Sequence, residues 1–206
     1  MKRNIFMVTA FVLGLLSTSS MHAQSPSAPL ASAKHPTTVT FRFSGPVTYV
    51  DPLLSSVASI SDNITGTYTF DPTVPDTDPS DPSVGLYSSP TSSRASVGTF
   101  TAKSPPVIFN IFDNMLLSDG LTYRTQYRIS LSQTLGIVNG LTYVGFTLDL
   151  WSNSTTPLSI LSSDALPATP PAINDFQCNQ LRFYFQDVNG GVHYIIGTLK
   201  TLSAHH

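Results

Sequence analysis

The feature that most constrains this chain is an alternation of apolar and polar side chains with a period of two residues. It is clearest where Ile64, Tyr68 and Phe70 are separated by threonines and a glycine. Because successive side chains of a β-strand point to opposite faces, this pattern predicts a strand with one face in a core and the other in water. Similar segments predict about eight strands, near residues 39–50, 64–70, 95–102, 107–112, 123–131, 142–151, 181–186 and 192–199.

The composition and the turn signals favour an all-β fold with antiparallel strands. All 12 acidic residues are Asp, and Lys and Arg together number only 10, so few residues suit exposed helical faces. Three dipeptides typical of hairpin turns each precede a predicted strand. They are Asp119-Gly120, Asn139-Gly140 and Asn189-Gly190. We predict a single antiparallel β-sandwich, jelly-roll-like, with two long Pro-rich loops at residues 71–90 and 155–174, and room for one helical turn at residues 160–165.

The first part of the chain is predicted to lie outside this domain. A basic start, a short apolar run and a small residue at Ala23 are the parts of a secretory signal peptide, which we place at residues 1–23. Residues 24–36 are rich in Ser, Ala and Pro, which is typical of a flexible linker. The β-sandwich is expected over residues 37–202 and a short tail over residues 203–206. We therefore predict a secreted or periplasmic protein without a membrane span after signal cleavage.

The charge argues against a nucleic-acid-binding protein, and the cysteine content argues against a domain stabilised by internal disulfides. Once Lys2 and Arg3 leave with the signal peptide, eight basic residues stand against 12 acidic ones, and the sequence shows no basic stripe. Binding to nucleic acid is therefore not expected. Cys178 is the only cysteine, so the domain has no internal disulfide. We interpret Cys178 as a small buried apolar residue.

Several short segments resemble a recurrent pattern in uncharacterised secreted bacterial β-rich proteins. They are Gly45, residues 63–71, residues 85–87, residues 163–167 with Pro170-Pro171, residues 183–187 and residues 197–199. The pattern is similar to the ectodomains of PEP-CTERM proteins, which exosortases sort by a C-terminal tail. No Pro-Glu-Pro, apolar anchor or basic tail follows Leu202 here. The resemblance thus implies an exported β-rich domain without exosortase sorting, and it brings no catalytic residues.

Four carboxylates in the first Pro-rich loop are candidate calcium ligands. They are Asp71, Asp76, Asp78 and Asp81. Calcium is bound by oxygen atoms, largely of carboxylates and carbonyls, and such a loop could supply several. The spacing does not follow the EF-hand pattern, and Asp-Pro pairs are also ordinary turn starters. Calcium is therefore the one candidate cofactor, with a solvated loop as the alternative.

A candidate ligand-binding face lies on the predicted strand at residues 142–151. Strict alternation would place Tyr143, Asp149 and Trp151 on one side, together with Thr147. Aromatic rings beside a carboxylate are used by sugar-binding faces, because the ring packs on the apolar side of the sugar and the acid accepts from its hydroxyls. Alternatively, Trp151 is buried under a long loop and Asp149 is hydrogen-bonded nearby.

Hydrolase signatures are absent from the sequence, which has no G-x-S-x-G, S-x-x-K or H-E-x-x-H motif. His193 is the best-placed base for a triad assembled in space, with a structural role as the alternative. We predict no catalytic residues and a non-enzymatic surface or matrix interaction protein, whose partner is a polysaccharide or cell-surface component. A carbohydrate-binding module is the second interpretation and a hydrolase the third. Exposed edge strands leave self-association open.

Overall fold

The computed structural model describes residues 38–205, apart from the side chains of residues 133–135. The predicted signal peptide and linker, with Thr37 and His206, lie outside these residues. The described residues contain eleven β-strands. They are β1 (Val39–Val50), β2 (Asn63–Phe70), β3 (Val84–Ser89), β4 (Ser93–Val97), β5 (Phe100–Ser104), β6 (Val107–Leu116), β7 (Tyr123–Val138), β8 (Leu141–Ser154), β9 (Cys178–Gln186), β10 (Val192–Thr198) and β11 (Thr201–Ala204).

Helical structure in residues 38–205 is limited to two 3₁₀ turns, Pro52–Leu54 and Ile173–Asp175. The second turn lies in the second Pro-rich loop, but beyond the predicted position at residues 160–165. Between residues 38 and 205 there is no helix with the length and apolar character that a membrane crossing requires.

Every strand pairing is antiparallel, and together the pairings join all strands into one sheet. The order is β3-β6-β7-β8-β9-β10-β1-β2-β4-β5, with β11 beside β1. The prediction of an all-β antiparallel fold is confirmed. The prediction of about eight strands in a jelly-roll-like sandwich is wrong in its detail, because eleven strands form one continuous sheet that curls strongly.

Local backbone signals account for the additional strands. Residues 84–89, predicted as loop, form β3 and pair with β6, and Pro90 follows directly at the strand's end. The predicted strand at residues 95–102 is divided by Gly98, whose φ of +51° turns the chain between β4 and β5. β11 follows a break after β10, and it continues the pairing along β1 two residues past the predicted boundary at Leu202.

β1 changes its partner near Gly45 and so belongs to both parts of the sheet. Before this point, Phe41 to Ser44 pair with β11; after it, Val47 to Val50 pair with β10. A Cβ atom on Gly45 would lie 1.9 Å from the carbonyl oxygen of Thr198, so only glycine allows this approach. We call β11, β1, β2, β4 and β5 the small half-sheet, and β3 with β6 to β10 the large half-sheet.

Aromatic side chains fill the interior between the two half-sheets. Phe43 of the small half-sheet stacks on Phe146 of the large one, with ring centroids 5.4 Å apart. Phe100 meets the rings of Tyr143, Phe183 and Phe185. Tyr68 and Tyr127 join their hydroxyls across the same interior, with 3.0 Å between the oxygen atoms. This contiguous apolar core fixes which faces of the sheet remain in solvent.

Candidate functional site

The predicted ligand-binding residues Asp149 and Trp151 lie on the outer face of the large half-sheet. β8 is flanked by β7 and β9, and the register sets Asp149 between Arg128 and Gln180, and Trp151 between Gln126 and Cys178. We call this surface the β7–β9 face. It consists of Arg124, Gln126, Arg128, Thr147, Asp149, Trp151, Cys178, Gln180, Arg182 and Tyr184. Sheet pairing therefore gathers more polar and aromatic groups than β8 alone carries.

Tyr143 does not belong to this face, which corrects the predicted alternation. The register between β8 and β9 shifts between Tyr143 and Gly145, as in a β-bulge. An extra residue at this point moves Tyr143 to the interior side, where it is 1% exposed, and turns Val144 to solvent at 44%. The predicted group of three is thus reduced to Asp149 and Trp151.

Asp149 is a buried carboxylate held by two donors from β7. Gln126 Nε2 and Arg128 Nη2 each lie 2.6 Å from one of its oxygens. Burial alone would lower the pKa of Arg128, but the hydrogen bond and charge of Asp149 raise it above its ordinary value. Arg128 therefore stays protonated, and the short contacts at Asp149 fix the orientation of the side chains.

Two arginines of the β7–β9 face lie over aromatic rings. The Arg124 guanidinium is 5.2 Å from the centre of the Trp151 ring, and its Nε donates to Asn153 Oδ1 at 3.0 Å. Arg182 lies 5.6 Å from the Tyr184 ring and 5.7 Å from the Tyr194 ring of β10. Such cation–π contacts hold planar hydrogen-bond donors beside aromatic surface. All these rings and arginines are partly exposed.

Cys178 borders Trp151 on the same face and is half-buried. Burial raises the pKa of its thiol, and the nearby charge of Asp149 raises it further. A thiol with a raised pKa stays protonated, whereas a nucleophilic cysteine needs a lowered one. The environment of Cys178 thus suits a structural residue.

Three of the four carboxylates predicted as calcium ligands serve separate local turns. Asp71 accepts from Thr73, and Asp81 from Ser83, each through the backbone N–H and the hydroxyl. These bonds lower the pKa of both carboxyl groups, the side-chain bond more than the backbone one. Asp78 accepts from the Ser80 hydroxyl. In residues 38–205, no group of three or more His, Cys, Asp or Glu side chains is gathered as a metal site.

Asp76 has a different role, because its carboxylate pairs with the backbone of β3. Its Oδ1 accepts from the N–H of Leu86 at 2.9 Å, and the N–H of Thr77 donates to the carbonyl of Leu86 at 2.9 Å. The Asp-rich loop thus occupies the outer edge of β3 at Leu86. Loops that cover an edge strand prevent it from pairing with another chain.

His193 sits between two carboxylates that sequence reasoning did not associate with it. Its Nδ1 lies 3.1 Å from Asp51 Oδ2, and its Nε2 lies 3.4 Å from Asp187 Oδ2. The hydrogen bond to Asp51 is the largest effect that raises the pKa of His193, and Asp187 adds to it. A Ser-His-Asp triad needs one ring nitrogen facing a hydroxyl, whereas both nitrogens here face carboxylates.

The arginines and tyrosines beside Asp149 were missed as site residues for a simple reason. Alternation places Arg128 and Arg182 on the polar sides of their own strands, but it does not tell which strands are neighbours. The β7-β8-β9 order supplies that information. Comparison with protein-family models, with curated proteins and with solved structures finds no match for this chain.

Proposed function

We propose that this chain is a non-enzymatic surface or matrix interaction protein outside the cytoplasm, and that its β7–β9 face binds polysaccharide. The signal-like residues 1–23 and the similarity to secreted β-rich proteins support export. The observation that carries the proposal is the group of partly exposed aromatic rings and arginines on one sheet face, beside the Asp149 carboxylate.

The chemistry of this face suits sugars. The rings of Trp151 and Tyr184 offer apolar surface, and the guanidinium groups of Arg124 and Arg182 offer fixed donors to hydroxyl oxygens. Sites built on strands hold their side chains more firmly than sites on loops. A rigid aromatic face with polar groups at its rim therefore favours binding over catalysis.

The surroundings of His193 and Cys178, which could act as base and nucleophile, support a non-enzymatic role. The ring nitrogens of His193 face Asp51 and Asp187, and the Cys178 thiol has a raised pKa. Neither arrangement provides an activated nucleophile. We therefore place the hydrolase interpretation behind the binding one.

The proposal is tested by electrophoresis of the purified chain through gels that contain neutral polysaccharides such as xylan or β-glucan. Retention by at least one polymer is expected, and Trp151→Ala should abolish it while the circular-dichroism spectrum and melting temperature stay near wild type. Tyr49→Ala is the matched control, because Tyr49 is an aromatic residue 45% exposed outside this face. Unchanged retention of Trp151→Ala, or no retention by any polymer, would count against the proposal.

A further inference from the structure

An open groove crosses the outer face of the small half-sheet, away from the β7–β9 face. Side chains of β11, β1, β2 and β4 line a depression of about 550 Å³. A neighbouring depression of about 330 Å³ extends it to β5. Thr67 and Arg94 line both depressions, so the two form one continuous groove across five strands.

Three basic residues stand in one line along this groove. Strand register pairs Arg42 with Thr67, Thr67 with Arg94, and Arg94 with Lys103. Neighbouring strands lie about 4.8 Å apart, so the backbones at Arg42 and Arg94 are separated by about 10 Å and Lys103 follows about 5 Å further. All three side chains are exposed. The groove thus offers three cations in one row, with Thr67 between the first two.

Among residues 38–205, no carboxylate pairs with these charges. Neither depression has an Asp in its lining, although all 12 acidic residues of the chain lie between residues 38 and 205. Within those residues, Arg42, Arg94 and Lys103 form no ion pair. Like charges held near one another repel, and a bound anion relieves that repulsion. A local positive surface on an acidic protein indicates a negatively charged ligand.

The remaining lining is rich in hydroxyl groups. A second register line parallel to the cations contains only Ser and Thr, and its lining residues are Thr201, Ser44, Thr65 and Ser96. Thr101 continues this line beyond the groove lining. Each hydroxyl both donates and accepts hydrogen bonds, as sugar hydroxyls also do. The one aromatic lining residue, Phe43, is 1% exposed, so the groove offers no ring on which a nucleobase could stack.

From this charge complementarity we infer that the groove binds an acidic polysaccharide. Its carboxylates pair with Arg42, Arg94 and Lys103, and its hydroxyls bond to the Ser and Thr side chains. Arginine suits this role because its planar guanidinium donates two parallel hydrogen bonds to one carboxylate. The Asp-rich loop of a second copy is a weaker candidate, because its carboxylates already accept hydrogen bonds from their own turns. This inference is independent of the β7–β9 face.

The test is affinity electrophoresis of the full chain in gels that contain polygalacturonate. Arg42→Gln/Arg94→Gln is expected to bind about tenfold more weakly than wild type, and wild-type binding should fall as NaCl rises from about 50 to about 500 mM. Ser118→Asp/Asn189→Asp makes the same change in net charge at two exposed turns outside the groove and should bind as wild type does. Circular-dichroism melts check that each variant folds.

Three outcomes would overturn the inference. The first is equal loss in the charge-matched control, which would show that net charge alone governs binding. The second is tighter binding of single-stranded DNA than of polygalacturonate. The third is self-association in sedimentation velocity that Arg42→Gln/Arg94→Gln abolishes, which would assign the groove to a second copy of the chain. Failure here is separable from failure of the proposed function, because Trp151→Ala is assayed with neutral polysaccharides.

Discussion

The hydroxyls of Tyr68 and Tyr127 meet in the core between the two half-sheets, and removing one of them should cost more than removing both. The side chains are 1% and 0% exposed, and their oxygens are 3.0 Å apart. Tyr127→Phe leaves the Tyr68 hydroxyl buried without this partner, which costs about 1–3 kcal/mol. Tyr68→Phe should cost a similar amount. The double variant loses the hydrogen bond but leaves no buried hydroxyl of the pair without a partner, so its cost is about 0–1 kcal/mol.

The expected signature is thus a double variant that is more stable than either single variant. Urea unfolding of the purified chain at pH 7, followed by Trp151 fluorescence, gives the free energies, and equal slopes against urea would show that the unfolded states match. At the middle of these ranges, the coupling energy from the four proteins should be about 3–4 kcal/mol in magnitude. If the two single effects simply add in the double variant, the reasoning about an unpaired buried hydroxyl is refuted.

The same pair predicts a sensitivity to alkaline pH. Burial raises the pKa of both phenols, and for Tyr68 the neighbouring Tyr127 raises it further. A raised folded-state pKa means that stability is fully present below the ordinary value near 10 and falls as the pH rises above it. Between about pH 9 and pH 11 the double Phe variant should therefore lose less stability than wild type. Parallel urea titrations at both pH values measure the difference.

Three further changes test other parts of the fold. Gly45→Ala places a Cβ 1.9 Å from the Thr198 carbonyl oxygen and should destabilise the chain by roughly 3 kcal/mol, seen as a lower urea midpoint; a wild-type midpoint would contradict this close approach. Asp51 raises the pKa of His193, so this contact stabilises below about pH 6.5 and is lost as the pH rises through the raised pKa. His193→Asn should flatten the melting temperature between about pH 5.5 and 8.5, and an unchanged slope would argue against it. Gly140→Val, at φ +78°, should cost about 1–2 kcal/mol in urea, and a neutral result would exclude strain at that turn.

Much of the strand pattern could be predicted because local chemistry determines it. β2 follows its threonine alternation, with Ile64, Tyr68 and Phe70 buried. The Asn139-Gly140 turn has positive φ at both residues, as a two-residue hairpin between β7 and β8 requires. Gly98 was missed, although the alternation changes phase there: Ala95 and Val97 precede it, and Phe100 and Ala102 follow one position out of step. The predicted number of strands was therefore too low at residues 95–102, where Gly98 separates β4 from β5.

The candidate site was predicted only in part, because it depends on pairings between distant segments. Asp149 and Trp151 were placed on the correct face, but the bulge that moves Tyr143 into the core leaves no mark in the alternation. The groove cations illustrate the same limit. Arg42, Arg94 and Lys103 are scattered in the sequence, so no basic stripe is visible there. Only the β1-β2-β4-β5 order brings them into one line.

The pairing of β1 determines when its two edges can be completed as the chain is synthesised. β2 follows β1 closely in the sequence and pairs with one of its edges, but the other edge is completed by β10 and β11. That edge stays open until residues 192–204 have left the ribosome. Contacts between such distant segments form slowly, and an open edge invites pairing with other chains in the meantime. Folding that begins only after the whole chain has been released would avoid this interval, because both partners of that edge are then present.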